Sequence, residues 1–230
     1  MLKPGNPNTE ERVLKAFRKF EIYRKAKHRF SSFDYCYYYF KSINNKKLLS
    51  NSSNLEKSCL HLVSYLASWG MYRGSSFLLK EKSIKYFEEL IRWISQCPPM
   101  YWKIDVDNYN NENIKILLKI YSSISKIFGL SEDRSPVLVT KIMLGVFGNT
   151  PAYDRNFRKT FSKHFSGKPG FTRYNEKSLI AVREFYSKYH ILINQLNSKT
   201  KTLDFLTGKK TNTAYTKAKI IDMIGFGHQI

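Results

Sequence analysis

One carboxylate in this sequence has a defined local setting. An apolar stretch at 138–146 leads through a glycine-containing turn to a second helix start, which carries Asp154 in the segment Val146-Phe147-Gly148-Asn149-Thr150-Pro151-Ala152-Tyr153-Asp154-Arg155. The first N–H groups of a helix lack intrahelical partners and carry partial positive charge, so an aspartate there is held in place as an anion. A fixed carboxylate can stabilise a developing positive charge and orient a water molecule for attack.

The charge of the chain makes such an anion unusual. The 230 residues include 39 Lys and Arg against 18 Asp and Glu, which gives a formal net charge of +21. An excess of this size indicates a polyanionic partner, because it otherwise only adds self-repulsion. From Arg155 onward, 15 cationic residues face four acidic ones. We therefore predict that the cations contacting the phosphates of such a partner include Arg155, Arg158, Lys209, Lys210 and Lys217.

Lys141 needs separate mention because it lies in the middle of the apolar stretch. A lysine in such a helix usually extends its apolar stem along the surface and keeps the ammonium group in water. We expect an ordinary surface lysine at this position, within reach of a phosphate.

Apolar residues recur at helical spacing along most of the chain, for example at 55, 59, 62 and 66 and again at 179, 182, 186, 189 and 193. We detect no convincing period-two strand and no fixed-length repeat. The sequence therefore predicts a compact all-α protein of roughly eight to ten helices. We expect two helical layers around a cleft, with residues 1–54 and 166–230 in one basic layer and residues 55–165 in the central one.

Composition limits the cellular setting and the chemistry. No apolar run approaches the roughly 18 residues that span a bilayer, and the N-terminus lacks the apolar core of a signal peptide. Cys36, Cys59 and Cys97 are widely spaced and show no zinc-ligand pattern. We expect a cytoplasmic monomer with no membrane segment, no disulfide, no metal ion and no cofactor.

The 146–155 segment resembles the helix-hairpin-helix DNA glycosylases, the superfamily of endonuclease III and the adenine glycosylases. In that family an apolar helix leads through a Phe-Gly-x-Pro-type turn to a Val-Asp-Thr-His-type helix start that carries the catalytic aspartate. The resemblance implies that Asp154 is the catalytic carboxylate. From its position alone, Asp154 is better explained by its own helix dipole or by a surface ion pair with Arg155 or Arg158; with the resemblance, the structural and the catalytic explanations are about equal.

A second segment, residues 62–73, resembles the family's apolar helix that ends in a Leu-Ser-Gln-Gln-Thr-type pocket. It reads Leu62-Val63-Ser64-Tyr65-Leu66-Ala67-Ser68-Trp69-Gly70-Met71-Tyr72-Arg73. The resemblance implies a base pocket formed by Trp69, Tyr72 and Arg73, in which a flipped base is stacked more than it is hydrogen-bonded. Taken alone, Trp69 is better explained as a core residue at a helix end.

Two departures from the family pattern define the expected reaction. The stretch equivalent to the family's Leu-Pro-Gly-Val-Gly hairpin, residues 129–136, is not a glycine hairpin, and the lyase-type lysine is replaced by Ser135 and Pro136. The family's four-cysteine iron-sulfur motif is also missing from the C-terminal region. The resemblance therefore implies a monofunctional enzyme that binds DNA and hydrolyses the N-glycosidic bond of a modified or damaged base.

Two other functions remain open at this stage. Arg158 and Arg183 each precede a histidine, His164 and His190, in a pattern loosely similar to the all-α HEPN ribonucleases, where such a pair performs acid-base cleavage. A non-catalytic DNA-binding protein would need the basic surface alone. Asp154→Asn would abolish base release but retain binding in a glycosylase, the histidines would matter in a ribonuclease, and a simple binder would depend on none of the three.

Overall fold

The computed structural model describes residues 7–131 and 136–227. Within these ranges it contains ten α-helices and one two-stranded sheet, so the all-α prediction is confirmed. Residues 132–135, which include Ser135 of the segment matched to the family's hairpin, lie outside the described part.

The helices are α1 (Pro7–Tyr23), α2 (Ser32–Ser42), α3 (Leu55–Ser68), α4 (Phe77–Glu81), α5 (Glu88–Ser95), α6 (Asn111–Ile127), α7 (Pro136–Val146), α8 (Arg155–His164), α9 (Glu176–Lys199) and α10 (Lys217–Gly227). Short 3₁₀ helices occupy Arg29–Ser31, Lys46–Ser50, Ile84–Phe87, Pro99–Trp102 and Val106–Asn108. The strands are β1 (Lys201–Leu203) and β2 (Lys210–Ala214).

Helix α7 and the loop after it form the centre of the molecule. Every residue from 138 to 153 is buried, and α7 packs against α2, α3 and α6. Gly145 allows α3 to approach, because a Cβ at that position would lie 2.5 Å from a ring carbon of Tyr65. One hydrophobic core therefore extends through both segments that the sequence assigned to separate layers.

Helices from the two ends of the chain pack together. Helix α10 packs against α1 and also against α8 and α9. The backbones of α1 and α10 approach closely, since a Cβ on Gly227 would overlap the carbonyl oxygen of Ala16. Helix α8 thus joins the terminal helices, although the sequence placed it in the central region.

The small sheet was not anticipated from the sequence. Strands β1 and β2 are antiparallel, with Lys201 opposite Ala214 and Leu203 opposite Lys210. Three and five residues, many of them threonine and lysine, are too few to show a period-two pattern. Lys209 and Lys210 lie at this hairpin, and α10 begins after it at Lys217.

A buried aspartate of α2 anchors this hairpin to the helices. One carboxylate oxygen of Asp34 accepts hydrogen bonds from the Leu203 backbone N–H (3.0 Å), the Tyr215 hydroxyl (2.7 Å) and the Arg24 guanidinium (3.1 Å). Arg24 also donates to the carbonyl oxygen of Lys201 (2.9 Å). Burial raises the pKa of Asp34 to about 6, although Arg24 and the other donors act in the opposite direction.

The stability of the fold should therefore depend on pH through Asp34. Its pKa is about 6 in the folded protein and 3.8 as the ordinary value, so the folded state binds more protons between these pH values. The difference in the free energy of unfolding between wild type and Asp34→Asn (wild type minus variant) should therefore decrease by up to about 3 kcal/mol as the pH rises from about 4 to about 6. Urea unfolding at several pH values measures this difference.

The raised pKa of Asp105, also about 6 through burial, is present in both proteins and cancels in that difference. A difference that stays constant from pH 4 to pH 7 would show that Asp34 titrates alike in the folded and unfolded chain.

Candidate functional site

Asp154 is the N-cap of α8, as the sequence indicated. One of its carboxylate oxygens, Oδ1, accepts hydrogen bonds from the backbone N–H groups of Asn156 and Phe157, both at 3.0 Å. The side chain is 17% exposed. The preceding loop is buried, and its Tyr153 N–H donates to the Thr140 hydroxyl of α7 (2.9 Å). The carboxylate is therefore fixed at the edge of a rigid, buried segment.

Lys141 corrects our expectation of a surface lysine that contacts phosphate. It is 3% exposed, and its ammonium group donates a hydrogen bond to the Trp69 carbonyl oxygen (2.8 Å). The same nitrogen lies 3.5 Å from Oδ2 of Asp154. Burial lowers the pKa of Lys141, and the carboxylates of Asp154 and Asp222 oppose this effect. Lys141 thus connects the two sequence segments that resemble glycosylase motifs.

A second buried ion pair lies next to this one and was missed from the sequence. The Lys219 ammonium group is 2.7 Å from Oδ2 of Asp222, and the two residues are 1% and 5% exposed. The other oxygen of Asp222 accepts a hydrogen bond from the Ala152 N–H (3.1 Å) in the loop before Asp154. The sequence signal that could have predicted this pair is a lysine and an aspartate three residues apart in the mostly apolar α10.

The aromatic residue predicted to stack a base lies in the core. The Trp69 ring is 8% exposed, stacks on Phe30 at a centroid distance of 5.1 Å and meets the edge of Phe226 at 5.5 Å. The ammonium groups of Lys141 and Lys219 lie 5.5 Å and 4.9 Å from its centroid. What Trp69 contributes to the site is its carbonyl oxygen, while its ring is covered by protein.

The other two residues of the predicted base pocket are more accessible. Tyr72 is half-buried, and burial raises the pKa of its hydroxyl to about 12. Arg73 is exposed, and its guanidinium lies beside Gly70, where an added Cβ would be 3.4 Å away. They follow Trp69 by three and four residues and occupy the surface end of that segment.

The cations predicted to bind DNA differ in their surroundings. Arg155 is exposed at the start of α8, and Arg158 is half-buried one turn further along. Lys209 and Lys210 are exposed at the hairpin. Lys217 is partly buried, and its ammonium group is already paired with Asp107 at 2.6 Å, so it is the least suited of the five to bind a phosphate.

Asp105 is a largely buried carboxylate that supports the site through the backbone. Its oxygens accept hydrogen bonds from the backbone N–H groups of Lys217 (2.8 Å) and Ala218 (2.9 Å). It therefore caps α10 from a distant part of the chain, and it fixes the helix that carries Lys219 and Asp222.

The residues of the ribonuclease interpretation lie on two helices, with Arg158 and His164 on α8 and Arg183 and His190 on α9. The Arg183 guanidinium donates to the Tyr109 carbonyl oxygen (3.0 Å). The His190 ring nitrogen Nδ1 is 2.9 Å from the Ser187 carbonyl oxygen, and the His164 ring packs against Phe185. This interpretation stays a prediction.

Among residues 7–131 and 136–227, no three His, Cys, Asp or Glu side chains are grouped closely enough to share a metal ion. No helix in the same ranges combines the length and the apolar character needed to cross a bilayer.

The chain matches no protein-family model, no curated protein and no solved structure. A function for it must therefore be argued from its own residues and their geometry.

The bridging role of Lys141 can be measured as stability. Lys141→Met keeps the apolar stem but leaves the Trp69 carbonyl without its donor and Asp154 without its cation. We expect the free energy of unfolding to fall by about 1–3 kcal/mol, because breaking a buried pair leaves the partner uncompensated. Urea unfolding at neutral pH followed by circular dichroism gives the value.

Lys159→Met is the matched control, because Lys159 is exposed on α8. It should change the free energy of unfolding by less than about 0.5 kcal/mol. Equal stability of Lys141→Met and wild type would mean that the buried ammonium group holds neither partner.

Proposed function

We propose that this protein binds DNA through its basic surface and hydrolyses an N-glycosidic bond with Asp154 as the catalytic carboxylate. The observation that carries the proposal is the position of Lys141, whose ammonium group lies between the Trp69 carbonyl oxygen (2.8 Å) and Asp154 (3.5 Å). The segments 62–73 and 146–155, each of which was identified from its own residues, thus both contact the Lys141 nitrogen. Their meeting supports a shared role.

The charge distribution supports DNA as the partner. A net charge of +21 attracts a phosphate backbone over a long range and makes binding strongly dependent on salt. Asp154 is followed directly by the exposed Arg155, and the positive end of α8 lies at the same place. A phosphate bound there would bring a neighbouring sugar close to the carboxylate.

The geometry of Asp154 suits the stabilisation of a cationic sugar. Its Oδ1 is used by two backbone N–H groups, whereas Oδ2 faces Lys141 at 3.5 Å, beyond a short hydrogen bond. Oδ2 is therefore the oxygen that can act on substrate, and Lys141 is a positioning residue. The 17% exposure of the side chain leaves it accessible from the surface.

In the proposed reaction the bond between C1′ and the base nitrogen breaks, and the electron pair leaves with the base. Asp154 stabilises the positive charge on the sugar and accepts a proton from the attacking water, whose oxygen forms the new bond to C1′. The departing base takes up one proton from solvent and Asp154 afterwards releases the proton that it accepted, so the net products of hydrolysis are a free base and an abasic sugar. Arg73 is the residue of the predicted pocket that a flipped base can reach most directly, because it is exposed, whereas the ring of Trp69 is covered and the hydroxyl of Tyr72 is buried.

Asp154→Asn tests the reaction while keeping the cap of α8, because asparagine also caps helices well; circular dichroism verifies that the variant is folded without the charge pair to Lys141. Wild type and variant are incubated with duplexes that carry uracil, hypoxanthine, 8-oxoguanine or 3-methyladenine, and released base is measured by mass spectrometry. We expect wild type to release at least one of these bases and the variant to be slower by about 100-fold or more. DNA binding by the variant should stay within about twofold of wild type.

Glu184→Gln is the matched control, since Glu184 is an exposed carboxylate on α9, and it should leave base release unchanged. Base release that survives in Asp154→Asn would overturn the catalytic assignment. Binding without release of any base by wild type would overturn hydrolysis and leave a DNA-binding protein.

A further inference from the structure

The turn between β1 and β2, residues 204–208, carries two strongly exposed apolar side chains. Phe205 is 72% exposed and Leu206 is 89% exposed, more than any other large hydrophobic residue in the described ranges. The Phe205 ring meets the edge of Tyr35 at a centroid distance of 5.2 Å. Two adjacent apolar residues at a hairpin tip cost solubility, so their exposure calls for a binding role.

Hydrogen bonds within the turn hold the tip in one shape. The Asp204 carboxylate accepts from both the backbone N–H and the hydroxyl of Thr207, each at 2.8 Å. The Asp204 backbone N–H donates to the Lys209 carbonyl oxygen (2.8 Å), and the Gly208 N–H donates to the backbone carbonyl oxygen of Asp204 (2.9 Å). With the base of the hairpin fixed by Asp34, the apolar tip projects from a rigid support.

Lysines surround this tip from two parts of the chain. Lys209 and Lys210 follow the turn and are exposed. Gly208 packs beside Ala26, where an added Cβ would come within 3.0 Å of the alanine side chain, and the neighbours of Ala26 are the exposed Lys25 and Lys27. The Asp204 carboxylate is the nearby counter-charge. Four cationic side chains thus accompany two apolar ones.

We propose that Phe205 and Leu206 form a wedge that inserts between stacked base pairs of duplex DNA, while Lys25, Lys27, Lys209 and Lys210 hold the phosphates on either side. Apolar wedges between base steps, flanked by cations, are a general means of bending and unstacking a duplex. The inference rests on the DNA binding of the proposed function but not on hydrolysis by Asp154.

A membrane surface is the less suitable occupant. Adsorption to lipid grows with the apolar area that is buried, and two side chains on a narrow turn provide little of it. A base step, in contrast, needs only one or two apolar side chains to be opened. The narrow tip therefore favours the duplex.

The test uses the full chain and a duplex that contains 2-aminopurine, whose fluorescence rises when it is unstacked. Saturating wild type should raise the fluorescence about threefold or more at one or more probe positions, as expected for an opened base step. The double variant Phe205→Ser/Leu206→Ser should abolish this rise and weaken binding by about tenfold, since stacking is worth about 1–3 kcal/mol per base.

Two controls separate the wedge from general surface effects. Ile191→Ser removes another exposed apolar residue, on α9 at 66% exposure, and should leave both readouts unchanged. Lys209→Gln/Lys210→Gln should weaken DNA binding and make the affinity less dependent on salt. It should keep the full fluorescence rise at saturation. Circular dichroism verifies that each variant is folded.

The outcomes also distinguish the wedge from the proposed function. Binding and base release by wild type without a fluorescence rise, or a full rise in the double variant, would overturn the wedge alone. A rise without base release would support the wedge and overturn hydrolysis. No DNA binding, together with binding to vesicles of equimolar phosphatidylserine and phosphatidylcholine that the double variant loses, would overturn both in favour of a membrane surface.

Discussion

The candidate site depends on a single buried cation. Taking an ammonium group out of water costs several kcal/mol unless nearby oxygens replace the lost hydration. For Lys141 these oxygens are the Trp69 carbonyl at 2.8 Å and Asp154 at 3.5 Å. The end of α3, the middle of α7 and the start of α8 are therefore held together by one nitrogen, and none can move without exposing or stranding a charge.

The surrounding structure strengthens this constraint. The loop between α7 and α8 is buried, so its backbone polar groups need partners inside the protein. Asp222 accepts from the Ala152 N–H, Thr140 accepts from the Tyr153 N–H, and the Tyr109 hydroxyl donates to the Asn149 carbonyl oxygen. Side chains from two helices and one connecting segment thus position the loop, and the loop positions the carboxylate of Asp154.

Local patterns were sufficient for some of these features and not for others. The helix start at Asp154 could be predicted, because capping depends on a few neighbouring residues. The burial of Lys141 could not, since the direction and surroundings of a helical side chain depend on which elements pack against it. The hairpin was missed because its strands are short and its stability comes from Asp34, more than 160 residues away in sequence. The covered ring of Trp69 likewise depends on Phe30 and Phe226, which no local motif places beside it.

A thermodynamic double-mutant cycle tests the central constraint most directly. The free energies of unfolding of wild type, Lys141→Met, Asp154→Asn and the combined variant give the coupling between the two side chains. If the buried ammonium group holds the carboxylate, the coupling should be about 1–3 kcal/mol in favour of the pair. Effects that add within about 0.5 kcal/mol would contradict the account, because the two groups would then be independent.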